Sequence, residues 1–371
     1  PREMLAYIPY RLGFRPSWSV VLVSLQPVRR DRSRVGLVVR VDIDDLADAD
    51  QGLSLARSLA GHLRADGAGD VLGVVYADLP REDLRDHGPW RRARAHLDAA
   101  LPWAASVAVW AVCATGYGHV DCAEDGCCPA QGRPLAELEG TCVGAEMVLR
   151  GAGVVRDRQD LAVRPAPSGA ARSVALRGAR DERARLKRLG EVAARATGAV
   201  EPGRGGRLRG WRTEGAELWD RLCTVLTDGG TPPPRQLGRL VVFLTDRAVR
   251  DAVVTAAMVD PGARRTTEVL EPTAVERAFD GATAPSRAAL APVLQLLTEV
   301  AAHAPRGAAA PALGALAYLA WWLGDGARAD VLAAQCVAED PDHRLARLVQ
   351  EALAAGVPPM WVDGAGDGRR G

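Results

Sequence analysis

The sequence has no excess of charge of one sign and almost no lysine. Its 371 residues include 47 basic and 46 acidic side chains, so the formal net charge is +1. A charge this close to neutral argues against a dedicated nucleic-acid-binding protein. Lys187 is the only lysine, and with the abundance of alanine and glycine this indicates GC-rich coding bias rather than selection for a ligand. Hydrophobic residues make up 48% of the chain, which excludes wholesale disorder and allows a sizeable core.

Signals for a membrane or for export are missing as well. The longest uncharged stretch, 307–323, is shorter than the roughly 20 apolar residues of a membrane-spanning helix, and Pro311 interrupts it. The start of the chain lacks the basic, apolar and small-residue order of a cleavable export signal. The seven cysteines are an odd number, which cannot all pair within one chain. We therefore expect a cytoplasmic protein with reduced thiols and no membrane partner.

Motifs of the common enzyme classes are also absent. No glycine-rich loop ends in Lys-Ser or Lys-Thr, no His-Glu-x-x-His pair occurs, and no serine lies in a Gly-x-Ser-x-Gly elbow. Aspartates between Asp42 and Asp50 follow a predicted strand, where magnesium carboxylates can lie, but such residues more often cap the next helix. These absences favour a non-catalytic protein over an enzyme.

Hydrophobic patterning predicts an α/β layer domain over residues 1–165. Four runs rich in β-branched residues predict strands, at 18–25, 34–43, 71–76 and 106–112. The first two suit a hairpin with a long loop. Amphipathic segments at 53–63 and 90–101 predict helices between the later strands. Strands that alternate with helices are typical of a layered α/β domain.

The rest of the chain is predicted to be helical. A basic helical or linker region is expected over 166–234, then a helical domain over 235–360 and a disordered tail over 361–371. Within the basic region, 181–197 predicts a helix, whereas 198–210 is too rich in glycine to be regular. Further segments have helical periodicity, at 235–257, 273–279, 287–303, 311–323, 327–338 and 343–355. The predicted fold class is an α/β N-terminal layer domain followed by an all-α C-terminal domain.

Three segments stand out as motifs: the opening YIPYRLGFRPSWSVVLVSL, the central DCAEDGCCP, and the closing LAYLAWWLGDGARADVLAAQCVAEDPDHRLARLVQEAL. In this order they resemble the actinobacterial domain of unknown function 4192 family, over most of the chain. The resemblance implies a cytoplasmic bacterial protein and marks the DCAEDGCCP loop as a family feature. It implies no activity and no catalytic residues.

The closing segment also resembles half of a tetratricopeptide repeat. Gly324-Asp325 is the predicted turn between two helices, and Ala329, Ala333 and Cys336 place small residues at helical spacing. No second copy follows, and a stacked array needs about three repeats. We therefore predict a helical bundle with one repeat-like hairpin, and a peptide-binding groove is the alternative. The leading functional prediction is a protein-interaction or regulatory module whose C-terminal helices bind a protein partner.

The strongest local signal is a cysteine-rich loop, because five of the seven cysteines lie between residues 113 and 142. Zinc prefers thiolate and imidazole ligands. Candidate ligands of a structural zinc ion, or of a zinc-dependent enzyme, are Cys122, Cys127, Cys128 and His119. Against this, the spacing from Cys122 to Cys127 exceeds the usual one, and neighbouring cysteines in an extended segment point to opposite sides. The pattern favours buried or idle thiols over zinc, and zinc over a regulated disulfide.

A basic segment provides a further alternative. Residues 172–212 hold twelve basic and four acidic side chains. Such a segment can contact phosphates, and its binding would weaken steeply with salt. A solvated helix face with a flexible connector is the commoner origin of such a run. Nucleic-acid binding through 172–212 is therefore a secondary hypothesis.

Overall fold

Two units make up the chain, Pro1–Asp157 and Arg158–Gly371. The computed structural model describes residues 1–29, 32–104, 108–122, 124, 126–166, 169–195, 203–259, 265–270 and 285–361. The predicted helix at 273–279 lies outside these residues, as does the predicted tail apart from Trp361.

The first unit alternates strands and helices, as predicted. Its elements are α1 (Arg2–Leu12), β1 (Ser19–Arg29), β2 (Arg32–Asp42), α2 (Ile43–Ala47), α3 (Gly52–Ala65), β3 (Asp70–Ala77), α4 (Arg81–Leu84), α5 (Gly88–Ala100), β4 (Ala108–Cys113), β5 (Tyr117–His119), α6 (Ala136–Glu139) and α7 (Cys142–Leu149). The strands form one mixed sheet in the order β2-β1-β3-β4-β5. β3 and β4 are parallel, and the other neighbours are antiparallel.

The predicted hairpin of β1 and β2 is confirmed, with Ser19 opposite Asp42. On its other edge β1 pairs with β3, where Val21 lies opposite Val74. β1 is therefore a central strand, and its first six residues are buried. A strand buried on both faces needs an uninterrupted apolar run, which explains its sequence.

One face of the sheet packs against α2, α3 and α5. Leu46 of α2, Leu63 of α3 and Leu97 of α5 share a buried cluster with Val75 of β3 and Val109 of β4. The helices turn their apolar positions, three and four residues apart, toward the sheet. This core holds β4 and β5, and the cysteine-rich loop leaves the sheet directly after β5.

The second unit is helical throughout its described residues, which confirms the predicted fold class. Its α-helices are α8 (Ala170–Arg195), α9 (Gly203–Thr227), α10 (Pro234–Phe243), α11 (Arg247–Val259), α12 (Arg287–His303), α13 (Ala310–Trp322), α14 (Gly326–Glu339) and α15 (Arg344–Ala354). Two short 3-10 helices accompany them, at Arg158–Leu161 and Thr266–Val269. Nowhere in the described part of the chain is a helix both long and apolar enough to cross a membrane.

Two local helix predictions are wrong. The glycine-rich stretch expected to be irregular up to residue 210 is helical from Gly203, because α9 continues through Trp211 and Trp219, which are buried in the core. Burying such large side chains offsets the roughly 1 kcal/mol that each glycine costs a helix. The single helix expected over 235–257 is divided between α10 and α11. Asp246 caps α11 by accepting from the amides of Ala248 and Val249 at 3.0 and 3.3 Å.

The repeat-like hairpin forms as predicted from α13 and α14. Gly324 takes a positive φ of 71° at the turn, a conformation that glycine adopts without steric cost. Ala329, Ala333 and Cys336 are completely buried. The Cys336 thiol donates to the carbonyl of Ala310 at 3.1 Å, so the small side chains bring the two helices close together.

A buried ionic network joins α8, α9 and α10. Glu182 is 3% exposed and accepts from Trp211 Nε1 at 2.8 Å and from Arg239 Nε at 2.7 Å. Arg185 and Arg239 both donate to Glu214. The hydrogen bond from Arg185, supported by that from Arg239 and by both charges, lowers the pKa of Glu214 to about 2 despite partial burial. Glu214 therefore remains ionised at neutral pH.

Candidate metal centre

The cysteine-rich loop is closed at its base next to the sheet. Tyr117 at the start of β5 exchanges two backbone hydrogen bonds with Arg133, at 2.9 and 2.8 Å. A Cβ at Gly116 would lie only 2.6 Å from the carbonyl oxygen of Arg133. The two ends of the loop therefore approach closely because glycine lacks a side chain.

The two adjacent cysteines lie in a tight turn, not in an extended segment. The amides of Cys127 and Cys128 both donate to the carbonyl oxygen of Glu124, at 3.0 and 2.7 Å. Their Sγ atoms are 3.8 Å apart. The prediction that the side chains of Cys127 and Cys128 point to opposite sides is wrong. Side chains of neighbouring residues alternate in this way only where the backbone is extended.

Cys122 joins this pair. The Sγ atoms of Cys122, Cys127 and Cys128 all lie within 4.8 Å of one another. Zinc–sulfur bonds of about 2.3 Å in a tetrahedron place sulfurs roughly 3.8 Å apart. The thiols therefore have nearly the spacing of three zinc ligands before any metal is considered.

His119, the fourth candidate ligand, does not belong to this group. Its backbone amide donates to Cys128 Sγ at 3.4 Å, and its Nδ1 accepts from the amide of Asp121 at 3.2 Å. Its ring packs edge-on against Trp110, with 5.7 Å between centroids. His119 thus supports the thiol cluster through its backbone.

The other four cysteines lie apart from the cluster. Cys113 is buried at the end of β4, and burial raises its pKa to about 11. In the second unit, burial raises the pKa of Cys223 and of Cys336 to about 12. Cys142 is exposed at the start of α7. Burial therefore keeps three of these four thiols protonated, those of Cys113, Cys223 and Cys336.

Arg81, which the sequence argument did not identify, connects the two ends of the loop. It is 6% exposed. Its guanidinium donates to the carbonyl oxygens of His119 at 2.6 Å and Cys122 at 3.2 Å, and to those of Pro129 and Ala130 at 3.0 and 3.3 Å. One side chain thus satisfies carbonyls on both sides of the cysteines. Only the planar, multidentate guanidinium offers donors in this arrangement.

Two further arginines hold the loop from outside. Arg85 donates to the carbonyl oxygens of Val120 and Cys122, both at 2.8 Å. Arg133 donates to that of Cys127 at 2.9 Å. Since these contacts are made to backbone oxygens, the sulfurs are left available to a ligand.

The cluster favours one thiolate at Cys128. Burial alone would raise the pKa of Cys128, but the amide of His119, the two neighbouring thiols and the charge of Arg81 together lower it below the usual value. The hydrogen bond shared with Cys128 is the main cause of the raised pKa of Cys127. Of these two thiols, Cys128 therefore gives up its proton more readily, and the thiolate is the form that binds a soft cation.

Fold and site together define a protein with an α/β unit that carries a three-thiol loop, followed by an all-helical unit. The chain belongs to the domain of unknown function 4192 family, whose family model matches residues 1–360. No curated protein and no solved structure matches it significantly. The family description specifies no activity.

Proposed function

We propose that this is a non-catalytic regulatory or interaction protein in which Cys122, Cys127 and Cys128 hold a zinc ion. The observation that carries the proposal is the convergence of three sulfurs within 4.8 Å on one loop. Thiolates select zinc or other soft ions over magnesium and calcium. We also propose a reducing, cytoplasmic location, because free thiols persist there.

The charges around the loop support a bound cation. Three thiolates and Zn²⁺ sum to −1, and the buried guanidinium of Arg81 lies beside them as a compensating charge. Three thiolates leave the fourth coordination position of zinc open, but a catalytic zinc site needs a nearby general acid or base as well. The groups that hold this loop are arginines and backbone amides, which suit ion binding better than proton transfer.

Metal analysis of reduced, purified protein tests the site. We expect about one equivalent of zinc, and a cobalt-loaded sample with sulfur-to-metal charge-transfer absorption, because soft ligands bind both ions in tetrahedral geometry. Replacement of Cys122, Cys127 or Cys128 by serine should abolish both signals. Cys142→Ser is the matched control, since Cys142 lies on the same unit and outside the cluster. Less than about a tenth of an equivalent in reduced protein would refute the proposal.

Removal of the metal should leave the fold intact. The arginines organise the loop through direct hydrogen bonds, so the site does not depend on metal for its shape, unlike a zinc finger. We expect chelation to lower the melting temperature of the protein by only a few degrees, measured by calorimetry. Loss of the cooperative transition of the first unit on chelation would contradict a preorganised loop.

Arg81→Lys should weaken zinc binding by about 10- to 100-fold, the range found when groups that orient metal ligands are removed. A lysine ammonium cannot reach carbonyls on both sides of the loop. Competition with a chromophoric chelator measures the affinity. Arg92→Lys is the control, because Arg92 donates to the carbonyl of Ala47, away from the loop. Equal affinity in the Arg81 variant and the wild type would remove Arg81 from the site.

We also propose a protein partner for the C-terminal helices. Leu348 of α15 is 48% exposed, and Val357 and Met360, which follow that helix, are 50% and 52% exposed. A contiguous patch of exposed apolar side chains is typical of an interaction surface, and we propose that these three residues belong to one. A truncation that removes these helices, residues 311–356, would not test the surface by itself. It would also remove buried core residues such as Leu316 and Leu332.

Point substitution tests this surface without loss of the core. A Leu348→Asp/Met360→Asp variant should lose partners that the wild type retains in an affinity purification, whereas Leu149→Asp, at an exposed leucine of the first unit, should retain them. Identical partner sets for all three proteins would refute the surface.

A further inference from the structure

One face of α8 is basic along much of its length. Its exposed residues Arg177, Arg180, Arg183, Lys187 and Arg188 form what we term the basic ridge. At 100° per residue these five positions fall within an arc of about 140°. The opposite face is packed into the second unit, where Ala175, Ala179 and Glu182 are buried.

The two acidic residues of α8 whose side chains the structure describes are engaged away from the ridge. Glu182 points inward to its arginine and tryptophan partners, and Asp181 pairs with Arg235 at 2.6 Å. Arg177, Arg180, Arg183 and Arg188 make no ion pair with any side chain that the structure describes. Their positive charge is therefore uncompensated on this face.

Positive charge is concentrated in the segment of the chain that contains the ridge. Residues 172–212 carry a formal charge of +8 from twelve basic and four acidic residues, whereas the whole chain carries +1, so the other residues sum to −7. A near-neutral total thus conceals a local positive region. Local potential rather than net charge governs encounter with a polyanion.

We infer that the basic ridge binds the phosphate backbone of a nucleic-acid duplex, independently of the thiol loop. From residue 177 to residue 188 the ridge extends about 17 Å, and a duplex presents about ten phosphates over that length. Besides Leu176, which is half-buried, the other side chains that the structure describes on this arc are small: Ala170, Ser173 and Ala184. The contacts are therefore electrostatic and independent of base sequence.

The same small residues disfavour an anionic membrane as the partner. Helices that lie in a bilayer interface insert large apolar side chains beside their basic ones. The ridge has none among these exposed positions. A line of exposed basic side chains whose large apolar neighbour, Leu176, is half-buried suits phosphates in water.

The test is fluorescence anisotropy of the full chain with a labelled DNA duplex of about 20 base pairs, from about 50 to about 200 mM salt. The wild type should bind with a steep negative dependence of log affinity on log salt. An Arg177→Gln/Arg180→Gln/Arg183→Gln/Arg188→Gln variant should bind at least about tenfold more weakly at the lowest salt, with a slope reduced by about 2 to 4.

The matched control changes four exposed arginines of other segments of the same unit, as Arg221→Gln/Arg247→Gln/Arg306→Gln/Arg344→Gln. It alters net charge equally and should retain wild-type affinity and slope, and circular dichroism checks that both variants are folded. The inference is overturned by no binding at the lowest salt, by equal loss in both variants, or by unchanged binding in the ridge variant. Binding to phosphatidylserine vesicles without binding to duplex would overturn it too.

Discussion

Replacement of Glu182 by alanine should destabilise the helical unit by about 2–4 kcal/mol. The carboxylate accepts from Trp211 Nε1 and Arg239 Nε inside the core that joins α8, α9 and α10. Without it, the buried indole N–H of Trp211 loses its acceptor, and Arg239 keeps only its hydrogen bond to Glu214. The expected loss in the free energy of unfolding is smaller than for a fully buried ion pair, because the side chain of Arg239 remains 25% exposed.

Urea unfolding monitored by tryptophan fluorescence measures this loss, and the transition of the second unit is fitted separately because two units need not unfold together. Glu182→Gln retains an oxygen for Trp211 and should lose about half as much. Glu217→Ala is the matched control on α9, since its pair with Arg221 is exposed and worth at most about 0.5 kcal/mol. If Glu182→Ala is as stable as Glu217→Ala, the network does not support the unit.

The second large effect is expected at Gly238 of α10, where alanine should cost about 2–4 kcal/mol. A Cβ there would lie 1.8 Å from the carbonyl oxygen of Ala175 and 2.9 Å from the amide nitrogen of Ala179. These are backbone atoms of α8, so the helices would have to separate. Helix propensity alone predicts the opposite sign, since alanine is favoured over glycine by up to about 1 kcal/mol.

Gly210→Ala in α9 measures the effect of helix propensity on stability without a steric clash, because no heavy atom lies within 4 Å of the added Cβ. It should be neutral or stabilising by up to about 1 kcal/mol in the same urea experiment. A Gly238→Ala protein at least as stable as the wild type would show that α8 and α10 do not approach as closely as described.

The sheet was predictable to the extent that its signals are local. Runs of β-branched residues identified β1 to β4. Burial on both faces demands continuous apolar sequence in β3 and in the first half of β1, whereas β2 and β4 are only partly buried. β5, with three residues, is too short to show a pattern. The prediction for the glycine-rich start of α9 is wrong because tertiary packing overrides local propensity there. Glycine disfavours a helix, but the buried side chains of Trp211 and Trp219 stabilise it.

The sequence indicates which cysteines can form the thiol site. It does not indicate how their sulfur atoms are arranged. Spacing in the loop pointed to Cys122, Cys127 and Cys128, but the turn at Glu124 that brings adjacent thiols together has no distinctive sequence signal. His119 was proposed because it is near in sequence. Its ring lies against Trp110, and only its amide reaches Cys128.

By itself, the sequence determined the two-part architecture, the repeat-like hairpin and the set of thiols in one loop, since these depend on periodicity and composition over short segments. The tertiary structure alone decided that Arg81 connects carbonyls 38 to 49 residues further along the chain and that Glu182 faces inward while the neighbouring arginines face solvent. Such contacts depend on how distant elements pack. Which residue pairs with a buried charge depends on which elements pack together. The residues next to it in the sequence therefore do not identify that partner.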